Sequence, residues 1–271
     1  MIPIRDENPT RTTPYIVYLL IALNVFVYMV DQLGGHTVLA YNAMGQAVGR
    51  IPVDGLWNYT MVPAQIWQSN PDLPARIANV PQIGVVLVPH PSPSPVWLTI
   101  FTSMFLHGGL LHIGGNMLYL WIFGNNIEDV LGHFKFILFY LIGGVVAALA
   151  HILSSPSSAV PTLGASGAIA AVLGAYIILY PNARVMSLVF LGFFATMVAV
   201  PAVVVLGLWI FLQVISTALG GGMTPGGGVA YWAHIGGFAF GVVVILLLGG
   251  RRLIRGRRED RAFQHYWYEE R

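Results

Sequence analysis

The sequence predicts an all-α polytopic membrane protein with six transmembrane helices and a long first loop on the membrane surface. Composition indicates the class: of 271 residues, 56% are hydrophobic and only 9% are charged, whereas soluble domains carry about 25% charged residues. Apolar runs indicate the number of helices, since one span needs about 20 residues. The chain has no cysteine, which excludes disulfides, thiolate chemistry and cysteine-ligated metals.

Six apolar segments are predicted to cross the bilayer. In chain order they are Tyr15–Val30, Leu110–Phe123, Phe134–Leu153, Ser166–Tyr180, Pro201–Leu219 and Ala233–Leu248. The first follows a cytoplasmic segment, 1–14, and has no small-residue cleavage site behind it, so we expect a retained span and not a signal peptide. Residues 15–249 then form one helical domain, and 250–271 form a basic cytoplasmic tail.

The connection between the first two spans, 31–96, is long. It contains nine prolines, which exclude a long helix. Its apolar patches, such as IGVVLV at 83–88, are unlike a free linker. We therefore expect a structured outer loop that lies on or near the membrane surface.

Charge decides the topology of Val185–Leu219, which is 35 uncharged residues and too long for one span. It fits either two short spans or an interfacial piece followed by one span. Lys and Arg concentrate on cytoplasmic flanks. With one span, eleven of the 13 Lys and Arg fall on the side of both termini, and only Arg50 and Arg76 fall on the other. We therefore predict six spans with both termini in the cytoplasm.

This topology places four polar side chains at a similar depth on the outer side. Ser166 begins the fourth span, His234 begins the last, and His112 and Asn116 lie in the second. Taken singly, each has an ordinary explanation: packing, snorkelling or a helix-to-helix hydrogen bond. Their shared depth makes a common function more plausible, because ionisable groups inside spans are costly.

Spacing refines this interpretation. His112 and Asn116 are four residues apart and share a helix face, whereas His107 is five residues before His112. We therefore expect His107 in the loop before the helix, as a structural hydrogen-bonding residue. The fourth and last spans carry small residues at helical spacing, which let two backbones approach closely. If these faces meet, Ser166 and His234 lie at the same end, as a nucleophile and its general base do.

Four segments together resemble the bacterial rhomboid intramembrane serine proteases, and the likeness extends over nearly everything from Trp97 to Leu248. They are FLHGGLLHIGGNMLYLWIFGNNIEDVLG, GASGAIAAVLGAY, YPNARV and VAYWAHIGGFAFG. The resemblance implies a rhomboid-like bundle in the cell (inner) membrane that cleaves transmembrane or juxtamembrane segments of single-span proteins. It implies that Ser166 is the nucleophile, that His234 is the general base, and that His112 and Asn116 line the oxyanion site. It implies no cofactor, metal or nucleic acid, and leaves the oligomeric state open.

Two features are not explained by the resemblance. Some family members place an aromatic residue at the position of Ala170, against the catalytic imidazole, so we expect other packing, from Tyr231 or Trp232, to orient His234. The glycines of GGGMTPGGGVAYW before His234 fit either a mobile cap or an ordinary flexible turn.

Other function classes fit less well. A transporter or channel would also use intramembrane polar groups but needs no glycine-flanked serine paired with a histidine. A zinc protease would need a motif such as His-Glu-x-x-His, and a hydrolase elbow would need glycine at position 168, which is alanine. The serious rival is a catalytically inactive rhomboid-like protein that escorts membrane clients. Such relatives lose the serine or the histidine, and this chain has both.

Overall fold

The computed structural model describes residues 1–80, 84–191, 194–219 and 229–254. The α-helices are α1 (Tyr15–Leu33), α2 (Pro63–Trp67), α3 (Thr99–Thr102), α4 (Leu110–Tyr119), α5 (Asn125–Leu131), α6 (His133–Ser154), α7 (Ser166–Leu179), α8 (Ala202–Ala218) and α9 (Tyr231–Leu247). The strands are β1 (Ile2–Asp6), β2 (His36–Tyr41), β3 (Ala47–Val53), β4 (Ala75–Val80), β5 (Gly84–Val88), β6 (Arg184–Leu191) and β7 (Phe194–Pro201).

Each predicted span coincides with an apolar helix. Among the described residues, α1 and α6 are long and apolar enough to cross a membrane, and the segments Val96–Phe105 and Leu110–Leu131 form a bent pair that would count as a third. The helices α7, α8 and α9 are apolar but shorter, at 10–17 residues. The shortest, α7, is almost entirely buried by other helices. It lies at the centre of the bundle and is surrounded by protein.

The seam between α7 and α9 is the tightest contact of the bundle. A Cβ atom at Gly237 would overlap the Gly167 carbonyl oxygen, and one at Gly241 would overlap the Ala171 carbonyl oxygen. Only glycine lets the two backbones approach this closely. The predicted meeting of the two small-residue faces is confirmed.

The second predicted span is longer than expected. The helix does not end at Phe123 but continues through a π-helical turn, Leu120–Gly124, into α5. Its polar end is partnered instead of solvated: the Glu128 carboxylate accepts hydrogen bonds from Ile16 N and Val17 N at 2.9 and 2.8 Å. A carboxylate that caps the first turn of α1 is stabilising there. Glu128 therefore marks a contact between two helices and not the end of one.

The prediction of an all-α protein is wrong, because the described residues contain two β-sheets. The connection 31–96 folds into a four-stranded sheet of order β3-β2-β5-β4. Its core is made of small and β-branched residues, Ala40, Ile51, Val62, Ala64, Ala75, Val86 and Val88. Short strands between prolines are compatible with these residue types, and the expectation of a structured loop is confirmed. Its position against the membrane stays a prediction.

The second sheet joins the N-terminal segment to the bundle. Its order is β1-β6-β7, with β1 antiparallel to β6 and β6 antiparallel to β7. The uncharged stretch Val185–Leu219 is thus part of a β-hairpin followed by a single helix, α8, which agrees with the one-span arrangement. The segment 1–14 is not a separate tail, since β1 pairs with the hairpin. Of the predicted basic tail, residues from 255 onward lie outside the described residues.

Candidate active site

Ser166 is the first residue of α7, and the turn that precedes it needs glycine. Gly164 has φ +125°, a conformation that residues with a Cβ rarely adopt. A Cβ there would also lie 2.8 Å from His112 Nε2. Gly164 N donates to Ser103 O at 2.8 Å, which fixes the turn against the segment before α4. The half-buried Ser166 hydroxyl is thereby placed at the N-terminal end of the central helix.

His234 lies in the first turn of α9, directly opposite this hydroxyl. Its Nε2 is 2.7 Å from Ser166 Oγ, and the residue is only 8% exposed. The close approach follows from the seam between α7 and α9. Gly167 is the residue after Ser166, Gly237 is three residues after His234, and the two glycines touch. The structure therefore brings together the two residues that the sequence predicts as nucleophile and base.

The other side of the His234 ring contacts α8, which sequence reasoning missed. His234 Nδ1 is 2.9 Å from Gln213 Oε1, and the Trp209 ring lies 5.5 Å away, tilted by 37°. Apart from Ser166, these two residues contact the His234 ring among the described residues, and not the expected Tyr231 or Trp232. One signal was present in the sequence: Gln213 is the only side-chain amide of α8, four residues after Trp209 and so on the same face.

Asn116 and His112 face the turn that leads into Ser166. The ideal Cβ position of Gly164 is 3.7 Å from Asn116 Nδ2 and 2.8 Å from His112 Nε2. Asn116 is 8% exposed, and its Nδ2 has no hydrogen-bond partner among the described residues. A buried amide donor without a partner is costly, and the residue that carries it lines the same cavity as the serine. Such a donor is available to a negatively charged oxygen.

His107 is where the sequence placed it, in the connection before α4, and it is fully buried. Its ring meets the His112 ring edge to face, with centroids 5.1 Å apart. The expected hydrogen bond is not seen, because no described partner reaches either ring nitrogen with good geometry. Its observed role is packing against His112.

A cavity of about 870 Å³ contains the four predicted site residues on its wall. It is large enough for several side chains of an extended peptide. Among its described lining residues there is no Asp, Glu, Lys or Arg, so the polar atoms facing it come from hydroxyls, amides and imidazoles. Within the described part of the chain, no three metal-ligating side chains are grouped as a metal site requires. The glycine-rich stretch 220–228, expected to be a cap or a turn, lies outside the described residues.

A hydroxyl, an imidazole and an unpartnered amide around one cavity are the parts of a covalent acyl-transfer site. Comparison with known proteins gives the corresponding class. The chain matches the family model of the Rhomboid domain over residues 94–251, more than half of its length, and this range contains all four site residues. The chain belongs to the rhomboid family of multi-pass membrane proteins.

The relatives it resembles include a bacterial protease and mitochondrial proteins. It is 36% identical to the rhomboid protease GluP of Bacillus subtilis over 96 residues, which cover 35% of this chain and 18% of GluP. It is 32% identical to the mitochondrial rhomboid protein 1 of Saccharomyces cerevisiae, over 54% of this chain and 40% of that protein. The human mitochondrial presenilin-associated rhomboid-like protein is 30% identical over 62% of this chain and 41% of its own length. The matches thus span less than half of each relative.

Proposed function

We propose that this chain is an intramembrane serine endopeptidase that cleaves transmembrane or juxtamembrane segments of single-span proteins. The observation that carries the proposal is the 2.7 Å contact between Ser166 Oγ and His234 Nε2 on the wall of a cavity within the apolar bundle. Membership of a family that includes a protease supports the same activity. The alternative within the family is a protein that binds membrane clients without cutting them.

In the proposed reaction, Ser166 Oγ attacks the carbonyl carbon of the scissile peptide bond while His234 Nε2 takes the hydroxyl proton. The C–N bond then breaks, and the imidazolium returns that proton to the leaving amine. A water molecule in the cavity attacks the acyl-enzyme with His234 again as base. This releases the new carboxyl end and restores the Ser166 hydroxyl.

The negative charge of the tetrahedral intermediate would be stabilised from three sides. Ser166 N–H begins α7, where the first amides have no carbonyl of their own helix to bond and the helix dipole favours negative charge. Asn116 lines the cavity and its buried Nδ2 has no partner among the described residues, and His112 lies beside it. One donor of this kind is typically worth about 10²–10³ in kcat.

The substrate must present an extended segment. A helix bonds its own carbonyls, so a scissile bond inside a span must unwind before Ser166 reaches it. Gly or Pro near the cut would ease this unwinding. Gly164, Gly167 and Ala168 surround the serine on the cavity wall, and we propose that they leave room for a small residue, such as alanine, before the scissile bond.

The proposal includes six membrane spans in the cell (inner) membrane with both termini in the cytoplasm, supported by the charge distribution and by an apolar helix at each predicted span. Cysteine scanning tests it, since the chain has no native cysteine. Met44→Cys, in the exposed turn between β2 and β3, should react with an impermeant thiol reagent from outside. Lys135→Cys and Arg257→Cys should not. Labelling of position 257 from outside would require an odd number of spans.

A fluorophosphonate probe tests the activity itself. The wild type should be labelled at Ser166, and both Ser166→Ala and His234→Ala should lose labelling and substrate cleavage while staying folded. Ser103→Ala is the matched control, because that serine also lines the cavity but its Oγ donates to Ile100 O; it should be labelled like the wild type. A folded wild type that is neither labelled nor able to cleave single-span substrates would favour the client-binding alternative.

A further inference from the structure

Both ring nitrogens of His234 have a hydrogen-bonding neighbour, and only the contact of Nε2 with Ser166 takes part in the proposed reaction. A neutral imidazole carries one N–H. For Nε2 to accept the serine proton, the hydrogen must be on Nδ1, and this N–H needs an acceptor in a buried site. Gln213 Oε1 lies at hydrogen-bond distance, 2.9 Å from Nδ1.

The Gln213 amide is held with its oxygen toward the imidazole. Its Nε2 donates to the Trp209 carbonyl oxygen, one turn earlier in α8, at 3.4 Å. The amide oxygen, Oε1, is therefore the atom that faces His234. The Trp209 ring, from the same helix face, contacts the imidazole ring and limits its rotation.

We propose that Gln213 is a positioning residue that holds His234 in the Nδ1–H tautomer, and that contact of α8 with α9 therefore completes the base. This inference rests on the proposed function. In it, Ser166, His234 and Gln213 form one line of hydrogen bonds, in which the amide stands where a carboxylate would orient the histidine of a soluble serine protease.

An amide suits this place better than a carboxylate. A charged carboxylate inside a membrane helix is costly, whereas an amide oxygen accepts the same hydrogen bond without a charge. The amide also stabilises the imidazolium less. The geometry thus assigns Gln213 to orientation of the ring.

The dependence on α8 follows from how that helix packs. Its buried residues, Ala202, Val205 and Leu206, all lie in its first half. Around Gln213 the neighbours Leu212 and Val214 are 50% and 46% exposed. If this half of α8 moves away from α9, His234 loses its hydrogen-bond acceptor. In that position of α8, the Nδ1–H tautomer that the base needs is no longer held.

The experiment compares Gln213→Leu, which keeps the size but removes the acceptor, with Gln213→Glu, which keeps an acceptor oxygen. Leu212→Ala, at the adjacent half-exposed position, is the control. Gln213→Leu should slow fluorophosphonate labelling of Ser166 and lower kcat by about 10–100-fold, the range seen when a hydrogen bond that orients a metal-ligating histidine is lost, with KM unchanged. Gln213→Glu should recover most of the labelling rate, and Leu212→Ala should match the wild type.

A second measurement does not depend on activity or on the stability of a variant. In ¹⁵N-histidine-labelled wild type, the NMR signals of neutral His234, assigned by their loss in His234→Ala, should show the Nδ1–H tautomer. A predominant Nε2–H tautomer, or a folded Gln213→Leu protein labelled at the wild-type rate, would overturn the inference. If the wild type is not labelled at all, the proposed protease function fails, and the tautomer still decides the role of Gln213.

Discussion

The helix that carries His234, α9, and the helix that contacts the other side of its ring, α8, have equal length and are packed differently. Both α8 and α9 have 17 residues and no charged side chain. The buried residues of α9 extend over most of its length, from Ala233 to Ile245, and its glycines touch the α7 backbone. Those of α8 are confined to its first half. Two uncharged helices of the same length therefore pack differently: α9 is fixed inside the bundle, and α8 is attached mainly at its N-terminal end.

This difference separates two requirements of the site. The distance between Ser166 and His234 is set by backbone contacts of α7 with α9 that leave no free space. The orientation of the His234 ring depends on Gln213, from the more exposed half of α8. A rigid contact can hold the reacting atoms, while a less buried helix can change its position without disrupting the core.

Replacing one glycine of each helix by valine should give the largest difference in stability between variants of α9 and of α8. Gly241→Val places a side chain against the Ala171 carbonyl oxygen, and backbone cannot move aside as a flexible side chain can. The loss of stability should exceed the roughly 1–3 kcal/mol typical of overpacked cores, with loss of labelling at Ser166. Thermal unfolding of the detergent-solubilised protein measures it.

The matched control is Gly207→Val in α8, where a Cβ meets nothing within 4 Å. This variant should stay within about 0.5 kcal/mol of the wild type, as surface substitutions usually do. Equal destabilisation by the two variants would contradict the proposed difference between the helices.

A substitution outside both helices should lower the catalytic rate without lowering stability. Asn116→Ala removes an amide whose Nδ2 has no partner among the described residues, so stability should change little. If the amide stabilises the oxyanion, kcat should fall by about 10²–10³ with little change in KM. Steady-state cleavage of a single-span substrate measures both constants. A change in KM alone would make Asn116 a substrate-binding residue.

Truncating one isoleucine in each helix should give a smaller difference in stability between the two helices. Ile245 of α9 is fully buried and Ile215 of α8 is 38% exposed. Ile245→Ala should destabilise the fold by less than the about 2–5 kcal/mol seen in soluble cores, because lipid is as apolar as the protein interior and only packing is lost. Ile215→Ala should change the unfolding temperature less. The reverse order would mean that α8 is the better packed helix.

How far the sequence predicts this structure depends on which contacts a pattern can report. Hydropathy located an apolar helix at each of the six predicted spans, and the small-residue spacing predicted the seam that brings Ser166 to His234. The hairpin β6–β7 was not predicted as strands because its residues are apolar without alternation, and a short apolar run fits a strand or a helix. The contact of Gln213 with His234 depends on the rotation of α8 against α9, which no local pattern contains.

The smallest expected effect concerns the C-terminal end of α7, where Tyr176 bonds to a partly buried carboxyl group. Asp6 Oδ2 accepts hydrogen bonds from Tyr176 Oη at 2.6 Å and from Asn126 Nδ2 at 2.8 Å. Burial outweighs these bonds and raises the pKa of the Asp6 carboxyl to about 6. The native state therefore holds this proton at pH values where the unfolded chain has lost it.

The sign of the pH effect follows by linkage. Between about pH 4 and pH 6 the native state binds more protons than the unfolded state, so the Asp6 contribution to the free energy of unfolding falls as the pH rises through this range and is constant above it. Asp6→Asn keeps an acceptor for Tyr176 and cannot ionise. The difference in unfolding temperature between Asp6→Asn and the wild type should move in favour of the variant from pH 4 to pH 6 and then level off. A difference that does not depend on pH would mean that the Asp6 carboxyl is solvated, and that the C-terminal end of α7 is as open as the end that carries Ser166.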